Sequence, residues 1–184
     1  MRYQVHFIDV QNDLKNYIWM LEDTETQEVV AIDPTESKLV ESFCEQHHLK
    51  LTQIWLTHWH KDHIGGVPTL IAQHSIPVFG PREELSKIPF ITHALQHADQ
   101  FRFNQLNVDI IATPGHTLGH IVYFIDQIVH WQAYIHGCSR LGFVVVVQPS
   151  DLRSDTFVQM YLQKLDHSQV KKVYHRKIDY QFDR

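Results

Sequence analysis

Thr57-His58-Trp59-His60-Lys61-Asp62-His63 places four residues of metal-ligating type within six positions, at the end of an apolar run that predicts a strand over 51–57. In extended chain, side chains two positions apart point the same way, so His58 and His60 can converge on one ion from one side. Asp62 and His63 follow at the turn, where Gly65 and Gly66 allow the backbone to curl back over the site. Imidazole nitrogen combined with carboxylate oxygen suits zinc, with iron or manganese as the alternatives. The bland alternative is a solvated polar loop, which the density of donors disfavours.

A partner for these residues lies downstream. Residues 106–112 read as a strand, Thr113-Pro114-Gly115 as a turn, and His116 follows, so a third imidazole can approach His58 and His60 from a neighbouring strand end. Three nitrogens and an open position form a catalytic pattern, in which a metal lowers the pKa of water to about 7 and supplies hydroxide near neutral pH. His120 reads as a polar residue starting the next strand, supporting the site and not ligating in it.

Outward from the motif, the chain reads as alternating strands and helices. Strands are predicted over 1–9, 16–21 and 28–33, a helix over 36–48, and a polar loop over 58–66. A short helix over 67–74, a brief strand over 76–79 and a short helix over 82–88 come next. Strands over 106–112 and 121–125, a helix over 154–165 and a last strand over 170–174 complete the pattern. Strands before and between helices, without a glycine-rich phosphate loop, predict an α/β domain of two sheets flanked by helices. The segment 128–150 is the least legible, with aromatic and histidine residues mixed ahead of the β-branched run 144–147.

Composition narrows the classes. The chain has 184 residues, 43% hydrophobic and 20% charged, which fits one domain over 1–184 with a sizeable core. A net charge of −5 without a Lys/Arg cluster argues against nucleic acid as a partner. No apolar stretch approaches the ~20 residues of a membrane span, and no secretory signal opens the chain, so a soluble cytoplasmic protein is expected. Two cysteines, Cys44 and Cys138, are too few for a disulfide framework and read as buried small hydrophobes. Histidine is the outlier at 15 residues, of which only His58, His60, His63 and His116 have ligand spacing.

T-H-x-H-x-D-H with a distant T-P-G-H-T resembles the metallo-β-lactamase superfamily, from the first residues to about Ile125. Asn16 and Tyr17, the Thr113-Pro114-Gly115-His116-Thr117 turn, and Gly137-Cys138-Ser139-Arg140 resemble most the hydroxyacylglutathione hydrolase, or glyoxalase II, family. The resemblance implies an αββα sandwich of two mixed sheets flanked by helices, with metals at one edge. It also implies hydrolysis of a glutathione thiolester. By motif, His58, His60 and His116 match the ligands of a first metal, and Asp62 and His63 match ligands of a second. Asp62 would hold the nucleophile or the second ion, and Arg140 would contact a substrate carboxylate, with a solvated surface arginine as its alternative.

The pattern departs from that family in the last third. The aspartate that bridges the two metals would fall at Trp131, and no Asp or Glu lies between Asp126 and Asp151. The last second-metal histidine should follow Val173 and Tyr174, but His175 stands two positions early, and the family's C-terminal helical domain is expected to be absent. A match that stops near 125 and then resumes in fragments points to local reading-frame shifts. Translating the coding DNA in all three frames across codons 126–150 decides this, since a frame restoring Gly-Asp-Thr is expected and its absence ends the idea. Three functions therefore stand open: a glyoxalase II type hydrolase with a weakened second site, a catalytically silent metal-binding domain, or a lactonase or β-lactamase on the same fold.

Overall fold

The computed structural model describes residues 2–14 and 16–125. Among the described residues, nine strands form two sheets. The larger contains β1 (Tyr3–Asp9), β2 (Tyr17–Asp23), β3 (Glu28–Ile32), β4 (Lys50–Trp55), β5 (Val78–Pro81) and β6 (His93–Leu95), in that spatial order. It is mixed: β1, β2 and β3 run antiparallel, while β3, β4, β5 and β6 run parallel. The smaller, in its described part, is an antiparallel meander of β7 (Gln100–Phe103), β8 (Leu106–Ala112) and β9 (Ile121–Phe124).

Helices α1 (Ser37–His47) and α3 (Val67–His74) make the crossovers into β4 and β5, as parallel pairing requires. The single turn α2 (Lys61–Ile64) precedes α3. Alternation along the central strands divides the core in two. Trp19, Leu21, Val30, Ile32 and Trp55 face the smaller sheet, packing on Phe103, Leu106, Val108, Ile110 and Tyr123. Their neighbours Ile18, Met20, Val29, Ala31 and Ile54 face the helices, packing with Val40 and Cys44 of α1 and Val67 and Leu70 of α3. Burial on both faces explains why β2 and β3 read as near-continuous apolar runs. Trp55 is the centre of the inter-sheet layer, stacking on Tyr123 with ring centroids 4.9 Å apart. Burial also pushes the Cys44 thiol up to about 11, which keeps it protonated.

The predicted strands and helices up to residue 81 stand within one or two residues of the observed ones, except that the polar loop 58–66 contains α2. Three expectations are corrected. The helix over 82–88 shrinks to a 3₁₀ turn at Arg82–Glu84. Strands β6 and β7 were not foreseen, because each is three or four residues long and half exposed, too short to show a period. Gly65 and Gly66 do not curl the chain through unusual dihedrals, since both lie in right-handed helical backbone at φ −59° and −80°. Glycine is needed there because a Cβ on Gly66 would sit 2.6 Å from the Ser37 nitrogen and 2.7 Å from the Pro34 oxygen. The helix over 154–165, the strand over 170–174 and the segment 128–150 lie outside the described residues. Among the described residues, no helix is long and apolar enough to cross a membrane.

Candidate metal centre

The site forms where strands end. Parallel pairing of β3 with β4 sets Ile32 against Trp55, so the next residues on each strand, Asp33 and then Leu56 and Thr57, emerge side by side. The Asp33 N–H donates to the Trp55 carbonyl at 2.9 Å. Antiparallel pairing of β8 with β9 closes the 113–120 loop, with the Thr113 N–H on the His120 carbonyl at 2.8 Å. The Ile121 N–H then donates to the Thr57 carbonyl at 3.1 Å, stitching the two sheets together where their strands stop. This seam delivers His116 and His120 to the residues after β4. The carboxyl ends of parallel strands are the usual place for a ligand site in such sheets.

Five imidazoles gather there. The His58 ring centroid lies 4.8 Å from that of His60, 4.0 Å from His63, 4.9 Å from His116 and 5.0 Å from His120. His60 and His116 are 4.6 Å apart. His58, His60 and His116 each offer a donor nitrogen within 4.8 Å of the others, the geometry of a group able to hold one ion. They grade from buried through half-buried to exposed, so the set opens toward solvent on the His116 side.

The buried end is wired through one carboxylate. Asp33, fully buried and at φ 51°, accepts the Thr57 N–H on Oδ1 at 2.8 Å and the Thr57 hydroxyl on Oδ2 at 2.6 Å. Since that hydroxyl spends its proton on Asp33, it accepts from His58 Nδ1 at 2.9 Å. The proton of His58 is thereby assigned to Nδ1, leaving Nε2 with a lone pair. His58 Nε2 is buried without a hydrogen-bond partner among the described residues. A buried imidazole nitrogen with no partner is costly unless something electrophilic meets it, and a metal ion fits that vacancy in its bonding. His63 Nδ1 meets Asp33 Oδ2 at 3.0 Å, which assigns its proton in the same way. Asp33, His58 and His63 also qualify by distance as a ligand group. With both its oxygens already accepting from Thr57 and His63, Asp33 fits the role of orienting the two rings.

Two side chains hold Asp62 through three hydrogen bonds. Asn16 Nδ2 donates to its Oδ2 at 2.8 Å and to its carbonyl at 2.9 Å, and the Thr35 hydroxyl donates to the same carbonyl at 2.8 Å. Its Oδ2 lies 3.5 Å from His63 Nε2. Burial works against ionisation of Asp62, but the Asn16 amide and the nearby His63 outweigh it and keep the carboxyl below its ordinary pKa. Burial foremost, then crowding by His63, His120, His116 and His60, pushes the His58 pKa far down, so its ring is neutral. The His60 pKa is lowered by burial and His116, against the opposing fields of Asp62 and Glu84. Neutral imidazoles beside an ionised carboxylate are the protonation states that metal binding requires.

The residues 58, 60, 62, 63 and 116 singled out in the sequence therefore meet at one place. His58 and His60 converge although the chain between β4 and α2 belongs to no strand or helix. Asp33 and Glu84 escaped sequence reasoning. The first reads only as the last residue of the strand predicted over 28–33, ahead of Pro34. His120 is 2% exposed, with Nδ1 2.6 Å from the Thr113 hydroxyl, consistent with a supporting place. Arg140, Cys138, Trp131 and His175 lie outside the described residues.

A histidine-rich site at one edge of two stacked sheets, with helices on the outer face of the larger, is the arrangement of one protein class. The chain has a metallo-β-lactamase fold, and the family model of the metallo-beta-lactamase superfamily matches residues 45–127, a stretch that spans every one of the clustered histidines. Within that class the chain is similar to hydroxyacylglutathione hydrolases. That of Marinomonas sp. strain MWYL1 is 40% identical over 112 residues, 61% of this chain and 42% of that protein. That of Idiomarina loihiensis is 36% identical over 140 residues, 75% of this chain and 54% of that protein. The chain thus spans about half the length of the curated relatives it matches. Among solved structures, ETHE1 from Myxococcus xanthus superposes with a TM-score of 0.57 at 28% identity, covering 69% of this chain and 55% of that one. The family implies a divalent metal.

Proposed function

We propose that the chain is a metal-dependent hydrolase of the glyoxalase II type, with zinc at His58, His60 and His116 and a glutathione thiolester as its small-molecule substrate. The observation that carries this reading is the convergence of three imidazoles around the partnerless Nε2 of His58. The hydroxyacylglutathione hydrolases among its relatives support the choice of substrate. A divalent ion supplies Lewis acidity there, polarising an acyl carbonyl and acidifying water.

The chain's own residues supply the rest. Asp33 and Thr57 hold the His58 ring with Nε2 turned to the donor set. Asp62, ionised and fixed by Asn16, accepts a hydrogen bond from the attacking water or, with His63, holds a second ion. Two protein donors make that second position the weaker one among the described residues. Arg140 is proposed as the contact for a substrate carboxylate.

Metal stoichiometry measured on the purified chain together with hydrolysis of a glutathione thiolester tests this. About one zinc per chain is expected, with hydrolysis that disappears on chelation and returns when zinc is restored. A metal-replete preparation with no bound transition metal sinks the reading. Bound metal with no hydrolysis at any loading would leave the silent metal-binding domain in its place.

A further inference from the structure

The turn after β5 carries a buried acid that neither the motif nor the proposed chemistry uses. Glu84 is 2% exposed. Its Oε1 accepts from the Thr117 hydroxyl in a short hydrogen bond and from the Gly119 N–H at 3.2 Å, while Oε2 is buried without a partner among the described residues. Gly119 is required for this approach, since a Cβ there would lie 2.4 Å from Glu84 Cγ and 2.9 Å from Glu83 Cβ. Both acceptor contacts fall on the 113–120 loop, one and three residues after His116.

The same turn grips the other side of the donor set. Lys87 Nζ lies 4.2 Å from the centre of the Trp59 ring, and Trp59 packs edge-on against His60 at 4.5 Å. The turn itself cannot drift, because the Lys87 and Ile88 N–H groups both donate to the Glu84 carbonyl at 2.9 Å and Ile88 is fully buried. One short segment therefore touches the loop bearing His116 and the chain bearing His60, which come from different sheets. His116 needs such a hold, since it is exposed on the loop that carries it. Burying a carboxylate with one oxygen unpaired is expensive, so a loop tie of no further use would be better made by a neutral group.

We propose that Glu84 is a positioning residue for the metal centre: through Thr117 and Gly119 it holds His116 at the spacing from His58 and His60 that one ion needs. This rests on reading those three histidines as ligands. Zinc affinity of the full chain, measured by competition with a chromophoric chelator, tests it, with thermal melts of the metal-free proteins as control. Thr117→Val keeps the shape and removes the donor, and Thr117→Ser keeps the donor. Val is expected to weaken zinc about 10- to 100-fold, as loss of a ligand-orienting contact does elsewhere, while the metal-free protein still melts cooperatively, at a modestly lower temperature because Glu84 loses a buried donor, and Ser stays near wild type in both measurements. Glu84→Ala should follow Val if it folds.

A double-mutant cycle shows whether the effect passes through His116: in a His116→Ala background, Thr117→Val should add no further loss. Equal affinity of wild type and Thr117→Val, an equal loss in the Ser variant, or a full additional loss in the His116→Ala background each overturns the positioning role. Wild type that binds no zinc overturns instead the reading of the site as a metal centre.

Discussion

His58→Ala is expected to release the metal and abolish hydrolysis while leaving a folded chain. His58 is the only one of the three proposed first-metal ligands that is fully buried, and its Nε2 has no other partner among the described residues. Removing the ring takes away one of three donors and opens a polar hole lined by His60, His63, His116 and His120. The remaining two nitrogens make a weak site, so zinc should fall below stoichiometric occupancy after gel filtration. Activity should drop on the order of a thousandfold or more, because the pKa of water returns from about 7 toward its bulk value of about 15.7. The fold should survive, since the core on both faces of the larger sheet is formed by other residues. Metal analysis with hydrolysis rates checks this, and a variant retaining one tightly bound zinc would contradict the ligand assignment.

Asp33→Asn should separate fold from function. Asparagine tolerates the left-handed backbone at φ 51° and keeps an oxygen to accept the Thr57 N–H. Its amide NH2, however, now faces the Thr57 hydroxyl and His63 Nδ1, where the carboxylate oxygen had accepted from both. An amide donor at Nδ1 drives the His63 proton to Nε2, the nitrogen that faces Asp62. The Thr57 hydroxyl, now accepting a hydrogen bond from the amide, loses its acceptor and turns its own proton toward His58 Nδ1, with the same consequence for Nε2 of that ring. Metal affinity should fall about 10- to 100-fold, the usual result of disturbing a residue that orients ligating histidines. Asp33→Ala should be worse in a different way. It leaves the buried Thr57 N–H unpaired and puts alanine in left-handed backbone, costing about 2–5 kcal/mol together. Chelator competition for the first variant and denaturant titration for both distinguish the two effects. Wild-type zinc affinity in Asp33→Asn would show that the carboxylate orients neither ring.

Strands β1 to β4 and helices α1 and α3 were legible because each carries enough residues to show its pattern, and β5 because Gly80 and Pro81 end a short apolar run. Strands β2 and β3 carry the apolar runs 17–21 and 29–32, β4 closes on Ile54 and Trp55, and α1 and α3 carry apolar residues at helical spacing. Strands β6 and β7 were not legible, since hydrogen bonding to a neighbouring strand and no pattern of their own makes them strands. The ligand-type residues 58, 60, 62 and 63 were visible as a cluster because they are near neighbours in the chain, and His116 because it ends a strand and a turn of the right kind.

Asp33 and Glu84 show what lay beyond that. Neither stands in a motif, and an acid after a strand or in a turn is ordinary in any sequence. The sequence by itself determined the donor types, their local spacing and the layered fold that could bring them together. Tertiary structure alone decided that Asp33 wires His58 and His63, because that depends on the register between β3 and β4. It alone decided that Glu84 meets the loop of His116, because that contact joins residues 33 positions apart across two sheets. Spacing along a chain records which side chains share one segment, whereas the meeting of distant donors is set by strand register and sheet packing, which no single segment contains.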